Sequence, residues 1–98
     1  MARQIIWTIS AQTERREILE YWVKRNKSKI FSKKLNKLII TNLREIGKNP
    51  LIGRKTDIAD VRVKIIRDYL IFYEITPKSI FVLSIWDGRR DNSSRALK

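Results

Sequence analysis

The sequence predicts an α+β domain: an N-terminal strand, an antiparallel helix hairpin, then a three-stranded antiparallel meander, with the helices packed on one sheet face. Three observations carry that expectation. Two consecutive stretches place apolar residues at helical spacing and are joined by a short polar link. Three strand-like runs then follow one another closely in the second half. A further strand-like run precedes the helices, so helices and strands are segregated along the chain in the order β–α–α–β–β–β.

The first run, residues 3–9 ("RQIIWTI"), is rich in β-branched and aromatic side chains and reads as a strand. Ser10 stands where a helix N-cap belongs, with Thr13 and Glu14 in the first turn that follows. From Ala11 to about Arg25, the apolar residues Ala11, Ile18, Leu19, Trp22 and Val23 recur at helical spacing. Asn26–Lys27–Ser28 is a tight link, and Ser28 can cap a second helix running to about Gly47. That helix carries an apolar stripe of Phe31, Leu35, Leu38, Ile39, Leu43 and Ile46. Gly47 followed by Pro50 reads as its stop signal.

The stretch 49–60 ("NPLIGRKTDIAD") is turn-rich and irregular. Beyond it Val61, Val63 and Ile65 alternate with Arg62 and Lys64, as on a strand with unlike faces. Tyr69 to Ile75 is apolar on both faces apart from Glu74, which suits a central strand, and Ile80 to Trp86 is similar. The connections at Arg67–Asp68 and at 76–79 are hairpin-sized. With neither repeat nor linker, residues 1–98 read as one domain.

Composition narrows the chemistry. There is no cysteine, which excludes disulfides and thiolate metal sites, and no histidine, which removes the commonest proton carrier near neutral pH. Any chemistry must run on Lys, Arg, Tyr, Asp or Glu, with no metal or cofactor implied. Lys and Arg number 22 against 10 Asp and Glu, a net charge of +12, which points to a polyanionic partner. No apolar run approaches the roughly 20 residues of a membrane span, so a cytoplasmic location is expected.

Arg62 and Lys64 share one face of their strand, Arg67, Arg89 and Arg90 lie at strand ends, and Arg54 and Lys55 lie in the loop entering the sheet. If the helices cover one sheet face, the opposite face gathers several of these cations in one concavity suited to phosphate. Tyr69, Tyr73 and Trp86 read either as core aromatics or as stacking platforms for bases, with Tyr69 and Tyr73 on one face by alternation. Trp7 and Trp22 read as core. The row Lys29–Lys33–Lys37 reads as the solvated side of its helix.

The stretches "IIWTISAQTERREILEYW" (5–22), "LREIGKNPLIGR" (43–54), "VRVKIIRDYLIFYEI" (61–75) and "IWDGRRD" (85–91) together resemble the RelE/ParE superfamily of bacterial toxins from type II toxin–antitoxin systems. The resemblance rests on the order and spacing of Arg62, Tyr69, Ile71, Tyr73, Arg89 and Arg90. It implies a compact toxin held inactive by a cognate acidic antitoxin that wraps it with an amphipathic segment. Its target is then either the ribosome with mRNA, which RelE-like members cut, or DNA gyrase, which ParE-like members inhibit.

A metal-independent endoribonuclease needs cations at the scissile phosphate and a group to move protons. Arg62, Arg67 and Arg89 suit the first role, and Lys64 or Lys55 the second. Arg54, Lys55, Tyr73 and Arg90 are candidates for binding nucleic acid or another target. Several mRNA-cleaving relatives place a tyrosine or histidine in the C-terminal segment, whereas residues 88–98 contain neither and Asp87 precedes Gly88–Arg89–Arg90. The alternative outside the toxin class is a basic nucleic-acid-binding module with the same fold.

Overall fold

The structure, a computed structural model, describes residues 2–89; Arg90 lies outside the described residues. The elements run β1 (Gln4–Trp7), α1 (Ile9–Asn26), α2 (Ile30–Lys48), a 3-10 turn (Pro50–Ile52), β2 (Arg54–Lys55), β3 (Val61–Ile66), β4 (Tyr69–Ile75) and β5 (Ser79–Asp87). The α+β order is as the sequence predicts, with the two-residue strand β2 added at one edge. The strands form one five-stranded sheet in the order β1-β5-β4-β3-β2.

The meander β3–β4–β5 is antiparallel throughout, whereas β1 runs parallel to β5, pairing Ile5 with Ile80 and Trp7 with Val82. A parallel pair needs a long crossover. The helix hairpin between β1 and the meander supplies it.

Thr8 rather than Ser10 caps α1. Its Oγ1 accepts from the Ala11 amide at 3.2 Å and donates to the Val82 carbonyl at 2.7 Å, so the cap also rivets the helix start to β5. Lys27 closes the helix in the left-handed conformation at φ 52°, and Ser28 Oγ accepts from the Ile30 amide at 3.2 Å at the start of α2. Gly47 is not the stop residue. It is buried inside the last turn of α2, where a Cβ would stand 2.9 Å from the Arg3 carbonyl, and it lets β1 lie directly against the helix.

The core joins Leu35, Ile39, Leu43 and Ile46 of α2 to Ile71 and Tyr73 of β4 and to Ile80, Val82 and Ile85 of β5. Trp7 and Trp22 pack against this cluster, as expected. A register shift between Phe72 and Tyr73 puts an extra residue into β5 there. Glu14 of α1 reaches into that irregularity. Its Oε1 accepts from the Ile85 amide and from Ser84 Oγ, each at 3.0 Å, so a carboxylate satisfies a donor that the bulged ladder leaves over.

Candidate functional site

The tip of the helix hairpin overhangs the end of the sheet where β4 begins and β5 ends. Trp22 of α1 and Phe31 of α2 meet edge to face with ring centroids 4.8 Å apart, and Tyr21 stands edge-on to Trp22 at 5.1 Å. Below them the Trp22 indole donates to the Tyr69 hydroxyl at 2.6 Å. Arg89 lies 5.0 Å over the Trp22 ring and 6.0 Å from the Tyr69 ring, and Arg67 lies 6.0 Å from the Phe31 ring. Two cations from different strand ends therefore share one aromatic platform, each within reach of a ring quadrupole.

Asp87 determines how Arg89 is presented. Its Oδ1 accepts from the Arg89 amide at 2.9 Å and from Nε at 3.1 Å, while Oδ2 accepts from Nη2 at 3.0 Å. The chain turns at Gly88, whose amide donates to the Asp68 carbonyl at 2.6 Å and where a Cβ would stand 2.7 Å from that oxygen. Hydrogen bonding to Asp87 raises the Arg89 pKa above its ordinary value, so the group is a permanent cation and no proton donor. Beside it opens a cleft of about 490 Å³, walled by Glu14, Glu17, Ile18 and Tyr21 of α1 and by Tyr69, Ile85, Asp87 and Arg89.

The cations of β3 are placed differently from the expectation. Arg62 pairs with Tyr73 and Lys64 with Ile71, and cross-strand partners share a face, so both lie on the helix side of the sheet and not on its bare side. The bare side carries Val61, Val63 and Ile65 of β3 with Leu70 and Phe72 of β4. The expected concavity of cations on that side does not form. Alternation placed Arg62 and Lys64 together correctly; the face was decided by the β3–β4 register, which sets them beside the residues that pack under the helices.

Arg62 is also engaged. Its Nη1 donates to the Gly53 carbonyl at 2.7 Å and to the Leu51 carbonyl at 3.3 Å, bracing the loop that leads to β2. Arg54 and Lys55 are exposed on β2, Lys55 opposite Arg62 and Arg54 opposite Val63. From Arg62 to Ile66 β3 rises about 13 Å. Lys55, Arg62 and Lys64 thus form a file on the helix side of β3 that leads to Arg67 and Arg89 at its far end, while Arg54, opposite Val63, faces the bare side.

Tyr73 is corrected as a target-binding candidate. It is fully buried, its hydroxyl donating to the Pro50 carbonyl at 2.6 Å and accepting from the Gly53 amide at 3.0 Å. It latches the loop from inside and presents nothing to a partner. Tyr69 is buried on the same face, as alternation predicts, and acts as the floor under Trp22. Sequence reasoning missed Trp22 and Phe31 as the platform for Arg89 and Arg67. Helical periodicity put both on apolar stripes, and the stripes reveal burial but not which cation crosses the ring.

Both tyrosines titrate above their ordinary pKa of 10.0, chiefly because burial disfavours the phenolate; hydrogen bonds from Trp22 and Gly53 oppose that shift only in part. A folded pKa above the unfolded one gives stability that is complete below about pH 10 and is lost as pH rises through the folded value. Thermal melts should therefore be level on this account to about pH 10 and fall steeply above it, with the fall reduced in Tyr73→Phe. An unchanged melting temperature through about pH 11.5 would contradict this.

No curated protein shows a significant match to the chain. Among solved structures it is similar to a chain described as "Chromosomal ParDE TA system from P. aeruginosa", with TM-score 0.72 and 18% identity, covering 86% of this chain and 94% of that one, a likeness of fold. The family model "ParE toxin of type II toxin-antitoxin system, parDE" matches residues 5–92, which include every described cation and aromatic of the site. The chain belongs to the ParE toxin family of type II toxin–antitoxin systems.

Proposed function

We propose that this type II toxin arrests growth by binding and inhibiting DNA gyrase, without cutting RNA, and that Arg67 and Arg89 on their aromatic platform form the contact. The observation that carries this reading is the proton inventory of the cleft. Arg89 is a permanent cation clamped by Asp87, Tyr69 is buried with its pKa raised, and the Glu14 carboxylate accepts hydrogen bonds from β5. A site so furnished can dock an anionic surface. Glu17 and Tyr21 complete the wall, and the chain has no histidine to carry a proton near neutral pH.

An acidic amphipathic antitoxin segment suits the remaining cations, where exposed Arg54 and Lys55 stand near exposed Leu51, Ile52 and Ile65. The test pairs two assays after brief induction. Loss of negative supercoiling by gyrase with intact message supports the proposal; ribosome-dependent cuts in message with unaffected supercoiling overturn it in favour of mRNA cleavage.

A further inference from the structure

On the outer side of α2, away from the cleft, Lys33, Lys37, Arg44 and Lys48 are all exposed. At 3.6 residues per turn their offsets of four, seven and four keep them within about 60° of the helix circumference and spread them over about 22 Å. The opposite side of α2 is the buried stripe Leu35, Ile39, Leu43 and Ile46. Glu45, the one carboxylate of α2, lies about 60° beyond the row. Among the described residues the only ion pair is Arg89–Asp87, so none of the four cations is neutralised.

Helix stability explains only part of this row. Cations near a helix C-terminus interact favourably with the macrodipole, which covers Arg44 and Lys48. At the N-terminus the sign reverses. There α2 has Lys29 as a cap residue without a capping side chain, then Lys33 and Lys34, and no acidic residue in its first turn. Placing cations there costs stability and gains none from packing. Protein partners are a poor match too, since protein interfaces are depleted in lysine and anchored by aromatics, and this row contains no aromatic.

We propose that the outer face of α2 is a second binding surface, which lies along the phosphate backbone of a nucleic-acid duplex without reading sequence. Neighbours four apart on a helix stand about 6 Å apart along its axis, so the row offers a straight, rigid line of donors to a phosphate ridge. The surface is separate from the Arg89 platform. It would tether the toxin to DNA while the other side of the molecule engages its protein target.

The test uses the full chain made by cell-free synthesis and a labelled 24-base-pair DNA duplex, followed by fluorescence anisotropy against salt, with an RNA duplex of equal length and poly-glutamate in parallel. Four phosphate contacts predict a slope of log K against log salt of about −3.6, a loss of roughly 100-fold between about 50 and 200 mM. The variant with Lys33, Lys37, Arg44 and Lys48 all changed to Gln should lose most of that affinity and slope. A variant with Arg16, Lys24, Arg25 and Lys78 changed to Gln removes the same charge elsewhere and should stay close to wild type. Circular dichroism of both variants checks the fold, and Gln keeps a helix propensity near that of Lys.

Equal weakening by the two variants would mean that net charge alone is at work and would overturn the proposal. Absence of duplex binding at about 50 mM salt would overturn it as well, as would poly-glutamate binding as tightly as DNA. Comparable binding of the DNA and RNA duplexes agrees with backbone recognition. Gyrase inhibition is not read in this experiment, so its outcome is independent of the proposed target.

Discussion

Arg89→Ala is expected to abolish growth arrest while leaving the protein folded. The guanidinium reaches its position through two hydrogen bonds to Asp87 and its place over the Trp22 ring of α1, and its side chain is 41% exposed. Exposed ion pairs of this kind contribute about 0–1 kcal/mol, so the melting temperature should move by only a few degrees. The turn keeps its shape, because the Arg89 amide still donates to Asp87 and the Gly88 amide to Asp68. What disappears is the planar cation laid across Trp22 and Tyr69. Colony counts after induction should return to those of the empty vector. Arg89→Lys should restore toxicity only in part, since a point charge cannot reproduce the fork held by Asp87 and stacked on an indole. Full toxicity of Arg89→Ala would remove Arg89 from the site.

Tyr73→Phe should give the largest loss of stability for a single-atom change. The hydroxyl is the only described side-chain partner of both the Pro50 carbonyl and the Gly53 amide, which it holds at 2.6 and 3.0 Å. Phenylalanine leaves a buried donor and a partly buried acceptor unmet. Each such orphan costs about 1–3 kcal/mol, so a net loss of about 2 kcal/mol and a fall in melting temperature on the order of 10 °C are expected. Gly53→Ala attacks the same junction from the other side, because its Cβ would collide with the Tyr73 hydroxyl and stand 2.9 Å from the Val63 carbonyl. Both variants should loosen the segment carrying Arg54 and Lys55, seen as faster hydrogen exchange at residues 51–55. A melting temperature of Tyr73→Phe within about 2 °C of wild type would refute the latch.

The helix hairpin and the meander were legible because burial imposes its period on sequence. Leu35, Ile39, Leu43 and Ile46 repeat as a helix must repeat to pack on a sheet, and Tyr69, Ile71 and Tyr73 alternate as one face of a strand. Strand β2 was not legible, because two exposed residues carry no pattern and pair only where β3 happens to pass. The cap shifted from Ser10 to Thr8 for a similar reason. Both can cap, and Thr8 is the one whose hydroxyl also reaches the Val82 carbonyl of β5.

The candidate site divides along the same line. That Arg67 and Arg89 end strands, and that Arg62 and Lys64 share a face, follows from sequence position alone. Which face, and which aromatic each arginine crosses, depends on the β3–β4 register, the irregularity in β5 and the overhang of the hairpin. Local sequence determines periodicity and charge, since these act over a few residues. Tertiary structure alone decided that Tyr73 is a latch, that Asp87 is a clamp, and that Trp22 is a bed for a cation. Those roles join residues 20 to 67 positions apart, or require a turn that only the packed sheet can hold, and no local pattern records such a meeting.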